Sequence, residues 1–476
     1  MSAILTTTLG KLEGSEEGAL CIFRGIPFAQ PPVGPLRFRA PQPLAPWSGI
    51  RPAKEFGPSA PQHSSPIIQV ARQDEDCLYL NVWSPGLDGK KRPVMVWVHG
   101  GSFSAGSGAE LIYDGSNLAS RHDLVVVTIN YRLGALGYLY LNEFAGNGFE
   151  TDANRGLLDQ IAALEWVRDN IEAFGGDPEN VTVFGESAGA MSIGALLGTP
   201  RAKGLFRRAI LQSGAAHHTA EMADAIEVAR AFCKDCAVSE SDPARLLELS
   251  PAEILQGQLA AQKVPLNLHE RNHRMPTFGM SLIPVIDGDV LPEDPLHAIA
   301  AGAAKDVEIL AGTNEDEWQM FIQFTDRGKI TLNEEGLLKV CNKRTRGHGE
   351  RIVPAYLKAR EARSQRNKPV DLFNAIESDR VFRLPAIRLL EAQHAHQPGT
   401  FTYLFTWDSP MFNGELGACH ALDIPFAFGS IHTPFARSFA GSGQAVETLA
   451  ERMEHAWANF ARSGNPCHED LPEWPA

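Results

Sequence analysis

The stretch Val181-Thr-Val-Phe-Gly-Glu-Ser-Ala-Gly189 changes character halfway along its length. Val181, Val183 and Phe184 are the β-branched and aromatic residues that a buried strand accepts. Small apolar residues from Ala190 to Leu197 follow at once and read as a helix. The chain must therefore turn sharply through Gly185-Glu-Ser-Ala-Gly189. A strand that runs straight into a helix leaves its turn residue strained, with the side chain pushed out above the sheet edge. Glycines flank the serine because side chains there would collide with the neighbouring strand and helix. The free N–H groups and positive dipole end of the new helix face any anion formed on Ser187. The spacing predicts a strand–turn–helix that presents Ser187 as a nucleophile.

Upstream, Pro93-Val-Met-Val-Trp-Val98 is a continuous apolar run that ends in His99-Gly-Gly-Ser-Phe103, and Leu124-Val-Val-Val-Thr-Ile129 is another such run. Both read as strands buried on two faces. Glycines directly after a central strand let backbone N–H groups face a site unobstructed by side chains. Glu75 to Trp83 alternates with a period of two, and Gly156 to Asn170 carries apolar residues at helical spacing. Before them, Pro27, Pro31, Pro32 and Pro35 rule out helix and predict an edge hairpin with an extended covering segment.

Downstream, strands are expected at Arg208–Ser213, Val307–Ala311 and Thr400–Phe405, and a closing helix around Val446–Phe460. Two stretches between them, about 217–280 and 319–396, read as helical insertions, the first without sheet signals. Strands alternating with helices predict an α/β fold with a mostly parallel sheet, whose sites form at the carboxyl ends of the strands. Ser187, the Gly100-Gly101 turn, the 312–317 loop and the His420 loop all follow expected strands and can converge on one edge.

A serine hydroxyl needs a base within hydrogen-bond reach, itself oriented by a carboxylate. Glu315, Asp316 and Glu317 all satisfy the requirement for an acid after a strand. His420 has the best position for the base, with His394, His396 and His455 as alternatives. Trp318, Phe321 and Phe324 either line a pocket or fill a helix interior. Cys233-Lys-Asp-Cys236 lies in a helical region with no βαβ context, and no second pair offers zinc ligands.

The 476 residues are 44% hydrophobic with a net charge of −14, which suits a large globular core and argues against a nucleic-acid partner. No stretch has the apolar length of a membrane span. Met1–Gly10 has neither the basic start nor the apolar run of a signal peptide. Seven scattered cysteines make no disulfide framework, which predicts a reducing, cytoplasmic setting.

Two long segments together resemble the type-B carboxylesterases, which include bacterial para-nitrobenzyl esterases and the cholinesterases. Phe174-Gly-Gly-Asp-Pro-Glu-Asn-Val-Thr-Val-Phe-Gly-Glu-Ser-Ala-Gly189 fits the family's nucleophile signature, and Glu75-Asp-Cys-Leu-Tyr-Leu-Asn-Val-Trp-Ser-Pro85 fits its second. Tyr131-Arg-Leu-Gly134 and Gly156-Leu-Leu-Asp-Gln160 agree as well. The resemblance implies that Glu317, last in Gly312-Thr-Asn-Glu-Asp-Glu317, is the acid, and that His420 in Gly417-Ala-Cys-His420 is the base. It implies an oxyanion hole from the N–H groups of Gly101, Ser102 and Ala188. It makes Arg37 with Glu75, and Arg132 with Asp159, buried structural ion pairs. The sequence departs from the family at Ala60, where many members carry a cysteine paired with the equivalent of Cys77, so that disulfide is absent. Ser102 replaces a glycine of the cholinesterases. Trp318 replaces the glycine that usually follows the acid, which narrows the region.

The expectation is one domain over residues 1–476 with the α/β-hydrolase fold, its helical insertions capping the site. The chain hydrolyses small carboxylic esters through an acyl-enzyme on Ser187, with Gly100, Phe103 and Trp318 as further substrate contacts and no metal or organic cofactor. It is a monomer or small homo-oligomer. The rivals are an amide or carbamate hydrolase with the same triad, a non-catalytic binding protein on this fold, and an interfacial lipase. The last would want an apolar lid, which the charge-rich 217–280 segment does not supply.

Overall fold

Alternate residues of the central strands enter two different apolar cores, one on each face of a sheet. Val94, Val96 and Val98 pack on one side with Val127, Val183 and Leu211. Met95 and Trp97 pack on the other with Val126, Phe184 and Ile210. This two-faced burial is why these segments read as unbroken apolar runs. The computed structural model describes residues 2–65, 68, 70–146, 148–264, 266, 280–325 and 332–476.

The strands are β1 (Ser2–Thr6), β2 (Lys11–Glu17), β3 (Leu20–Pro27), β4 (Ile50–Pro52), β5 (Tyr79–Ser84), β6 (Arg92–Val98), β7 (Val125–Ile129), β8 (Gly176–Glu186), β9 (Arg208–Gln212), β10 (Ala220–Glu221), β11 (Val285–Ile286), β12 (Glu308–Asn314) and β13 (Thr400–Phe405). The large sheet runs β1-β2-β3-β5-β7-β6-β8-β9-β12-β13, with β4 paired to β2. Strands from β7 to β13 along this path are parallel, whereas β1, β2, β3 and β5 form an antiparallel extension that joins β7. The expected N-terminal hairpin is thus the sheet edge. A register shift between Phe23 and Ile26 marks an irregularity in β3.

The parallel strands β6, β8, β9, β12 and β13 finish side by side, with Val98 paired to Gly185, Gly185 to Leu211, and Gln212 to Gly312. Each candidate loop leaves this edge. The closing helix spans Gln444–Ser463 and buries Val446, Ala450, Met453, Trp457 and Phe460, a stripe at helical spacing.

The first insertion differs from expectation. Its helices, Met222–Asp235 and Pro251–Ala261, are joined to a small two-stranded sheet in which β10 pairs in parallel with β11. Two-residue strands are too short to show a period in sequence. Residues 267–279 of that segment lie outside the described residues, as do 326–331 of the second insertion. The latter contributes the helices Glu317–Thr325, Glu334–Arg344, Gly349–Ala362, Pro369–Ser378 and Leu384–His394. A π-helical turn at Asp379–Arg383 separates the last two. No helix among the described residues is long and apolar enough to cross a membrane.

Candidate active site

Ser187 links β8 directly to the helix Ala188–Leu197, with φ 54° and ψ −123°. A left-handed φ on a residue with a side chain costs about 1–3 kcal/mol and persists only where the surroundings fix it. Here Ser187 N–H donates to Gln212 O at 2.9 Å, which pins the turn to β9. The glycines on either side allow close approach: a Cβ on Gly185 would lie 2.6 Å from Val98 O, and one on Gly189 would collide with the same carbonyl.

Glu317 begins the helix after β12 and is fully buried. Its Oε2 lies 2.6 Å from His420 Nδ1, while Oε1 accepts from Ser213 Oγ at 2.6 Å and from Asn314 N–H at 2.8 Å. Three donors fix both oxygens, so the carboxylate holds one orientation and places the Nδ1 proton. Glu315 bonds instead to Gln365, and Asp316 to Asn374 and to the backbone of Ala418. Of the alternative histidines, His394 and His396 are exposed and His455 stacks on His468. Phe321 and Phe382 flank the His420 ring, at 5.2 and 4.8 Å between centroids, and the π-helical turn delivers Phe382 there.

His420 Nε2 faces Glu186 Oε1 at 3.1 Å, and Ser187 Oγ makes no hydrogen bond among the described residues. Glu186 was the unspecified residue between glycine and serine in the motif, and sequence reading gave it no role. Burial raises the Glu186 carboxyl above the usual carboxylate range, and Asp423 and Glu317 add to it against the opposing pull of His420. Burial disfavours the charged imidazole of His420, but Glu186 and Glu317 outweigh it and hold its pKa above the ordinary value. Asp423, itself raised by burial, is held by Gln212, Tyr403 and Asn314. Ser213 was likewise missed. It lies just past β9, and only the fold reveals its contact with Glu317.

The turn after β6 carries Gly101 at φ 110°, Ser102 at 56° and Phe103 at 59°. Gly101 O accepts from Ser104 and Ala105 N–H, closing the turn. His99 supports it from below, stacked on Tyr131 at 4.5 Å, and burial lowers its pKa to about 4. Among the described residues no protein acceptor engages the N–H groups of Gly101, Ser102 or Ala188. Gly100 packs against Glu186 and Ser187, where a Cβ would meet Glu186 Oε2 at 2.8 Å. Phe103, expected to touch substrate, is fully enclosed with its ring edge-on to Tyr138 at 5.1 Å, so it braces the turn instead. Trp318 packs against Phe321 with centroids 4.6 Å apart and the rings tilted by 33°, and the Arg344 guanidinium lies 5.6 Å from its ring.

The chain as a whole is matched by known proteins. The model of the carboxylesterase family covers residues 1–476. The chain belongs to that family. It is 39% identical to para-nitrobenzyl esterase of Bacillus subtilis, over 99% of this chain and 92% of that protein. It is 36% identical to phenmedipham hydrolase of Pseudarthrobacter oxydans, with the same coverage of both chains. The crystal structure of a Geobacillus stearothermophilus carboxylesterase superimposes with a TM-score of 0.86 at 38% identity, covering 99% of this chain and 93% of the other. The fold is accordingly that of the α/β-hydrolases, and the chain is a serine ester hydrolase. Other features of the carboxylesterase resemblance are present in the structure. The Arg37–Glu75 and Arg132–Asp159 pairs form, and Cys77 is a free, buried thiol. Burial also raises Cys233 to about 12 and Cys236 to about 11, which leaves both as protonated, unreactive thiols.

Proposed function

We propose that Ser187, His420 and Glu317 are the nucleophile, the general base and the orienting acid of ester hydrolysis. The observation that carries the reading is the 2.6 Å contact between His420 Nδ1 and a Glu317 carboxylate fixed by two further donors. Nδ1 keeps its proton, so Nε2 is the basic nitrogen. It takes the Ser187 proton as the hydroxyl attacks the ester carbonyl. The oxyanion enters the space before the N–H groups of Gly101, Ser102 and Ala188, where one donor is typically worth about 3 kcal/mol. His420 then protonates the leaving alcohol, and water repeats the sequence on the acyl-enzyme.

Gly100 lets the turn sit close to Ser187, and Trp318 narrows the floor beside the acid. The substrate is a small-molecule ester. The 476 residues work as one α/β-hydrolase unit with both insertions over the site. A cytoplasmic setting is supported by seven free cysteines and by Ala60 opposite Cys77. The test is hydrolysis of p-nitrophenyl esters of increasing acyl length by the wild type and by Ser187→Ala. Turnover in the wild type and its loss by about 10⁴-fold or more in folded Ser187→Ala is the expected result. Turnover that survived the substitution would remove Ser187 from the mechanism.

A further inference from the structure

The closing helix and the segment after it bring together a second set of chemically capable side chains, none of them used by the ester chemistry. His455 projects from the helix Gln444–Ser463, and His468 and Asp470 lie beyond its end. One ligand atom from each of the three lies within 4.8 Å of the others. The His455 and His468 rings stack at 4.3 Å, and His468 Nδ1 stands 3.8 Å from Asp470 Oδ2. His468 Nε2 is 3.1 Å from Arg452 O. A carbonyl can only accept, so Nε2 carries the proton and the Nδ1 lone pair turns toward Asp470, accepting a long 3.4 Å contact from its backbone N–H that an ion would replace. Metal-bound histidines are oriented in this way, by a carbonyl on the nitrogen that does not ligate.

A second observation points to the same place. His455 and Asp470 border a cleft of about 410 Å³ that is also lined by Glu454, Arg121 and Arg452. Glu454 is fully buried; its Oε1 accepts from Arg121 at 3.0 Å, but Oε2 accepts no hydrogen bond, and His122 Nε2 is 3.8 Å away. A buried carboxylate oxygen without a donor is costly unless positive charge stands near it. Arg121 supplies only part of that compensation.

We propose that His455, His468 and Asp470 form a binding site for one divalent transition ion of the Zn²⁺ type. Two imidazoles and one carboxylate are the donor set such ions prefer, whereas Ca²⁺ and Mg²⁺ want shells of oxygen. Ligands around tetrahedral Zn²⁺ at about 2.1 Å lie roughly 3.4 Å apart, so the site closes when the His455 ring turns out of its stack on His468 and the Asp470 carboxylate moves in. The fourth position faces the cleft and takes water. The ion adds charge near Glu454 Oε2 and ties the C-terminal segment to the helix. That segment is already attached by Asn459 Nδ2 to Cys467 O at 2.9 Å and by Trp474 Nε1 to Thr402 O at 2.9 Å. The site's role is structural, and the ester reaction does not pass through it.

The test is calorimetric titration of the chelator-treated full chain with Zn²⁺, with Ca²⁺ and Mg²⁺ as separate arms, followed by Co²⁺ absorption. The expected result is one equivalent of Zn²⁺ per chain, a raised thermal midpoint, the visible bands of four-coordinate Co²⁺, and no response to Ca²⁺ or Mg²⁺. Asp470→Asn removes an exposed carboxylate and His455→Gln a half-buried ring. Each should weaken Zn²⁺ by about tenfold or more while the metal-free thermal midpoint stays near the wild type. Ser187→Ala should bind as the wild type does. No saturable binding, or binding that both ligand variants retain at full strength, would overturn the proposal.

Discussion

Two of the kinds of place in which the protein buries charge are built differently. At Arg132, Nε and Nη2 meet both oxygens of Asp159 at 2.8 and 2.7 Å, and Nη1 donates to Arg39 O at 2.7 Å. At Arg37, Nε and Nη2 grip Glu75, and Nη1 donates to the carbonyls of Leu247 and Leu249. Each positive charge there has one negative partner and its donors are used. Around His420 the balance is otherwise: Glu186, Glu317 and Asp423 are all buried near a single imidazole. A neutralised pair locks loops to helices and has no proton to move. A cluster with more carboxylates than cations leaves protonation sensitive to small changes, which proton transfer requires.

The strongest way to break this contrast is Glu317→Gln. Its amide can turn an NH₂ toward His420 and favour the wrong tautomer, so kcat should fall by about 10³–10⁴-fold with little change in KM. A loss of only severalfold in folded protein would mean that Glu317 is scaffold like Asp159. Asp159→Asn is the matching change on the other side. It leaves Arg132 buried with a weakened partner, and a loss of about 3–5 kcal/mol of stability is expected in denaturant unfolding. Esterase activity per folded molecule should stay near the wild type. If it dropped as it does in Glu317→Gln, the two kinds of cluster would not be separable.

The contrast also shows what the amino-acid order could reveal. Ser187 was legible because its signal is contiguous: strand, turn and helix lie within Val181–Leu197 and each is dictated locally. The buried pairs and the acid came from the family resemblance. The residues alone left Glu315, Asp316 and Glu317 equivalent, since the choice depends on which carboxylate meets an imidazole 103 positions away. Glu186, Ser213 and Phe382 were invisible for a related reason. Their roles arise from register between strands and from a π-helical turn, neither of which leaves a periodic pattern. The β10–β11 pairing was missed because two residues cannot show alternation.

Glu186→Gln sharpens the comparison through pH. In the proposed mechanism His420 must be neutral to accept the Ser187 proton, so activity should grow as pH rises through its pKa. Glu186 is one of the three carboxylates, with Glu317 and Asp423, that hold this pKa up. Removing its charge should lower the pKa, moving the acid limb of the kcat/KM profile down by about one pH unit or more. An unmoved limb would mean that Glu186 is protonated throughout that range and exerts no field on the base.

Ser102→Gly should have the smallest effect, and the reason separates backbone from side chain in the oxyanion turn. Ser102 sits at φ 56°, a conformation that costs a residue with a Cβ about 1–2 kcal/mol. Glycine removes that strain, but it frees the unfolded chain by about 0.4–1 kcal/mol. The two effects nearly cancel, so the thermal midpoint should move by no more than about 2 °C. The N–H survives the change, and kcat should fall by less than about threefold, far short of the 10²–10³-fold typical when an oxyanion donor is lost. A loss of that larger size with an unchanged midpoint would mean that the Ser102 hydroxyl, rather than its N–H, meets the oxyanion. The strained backbone at Ser102 would then serve to aim a side chain, as the one at Ser187 does.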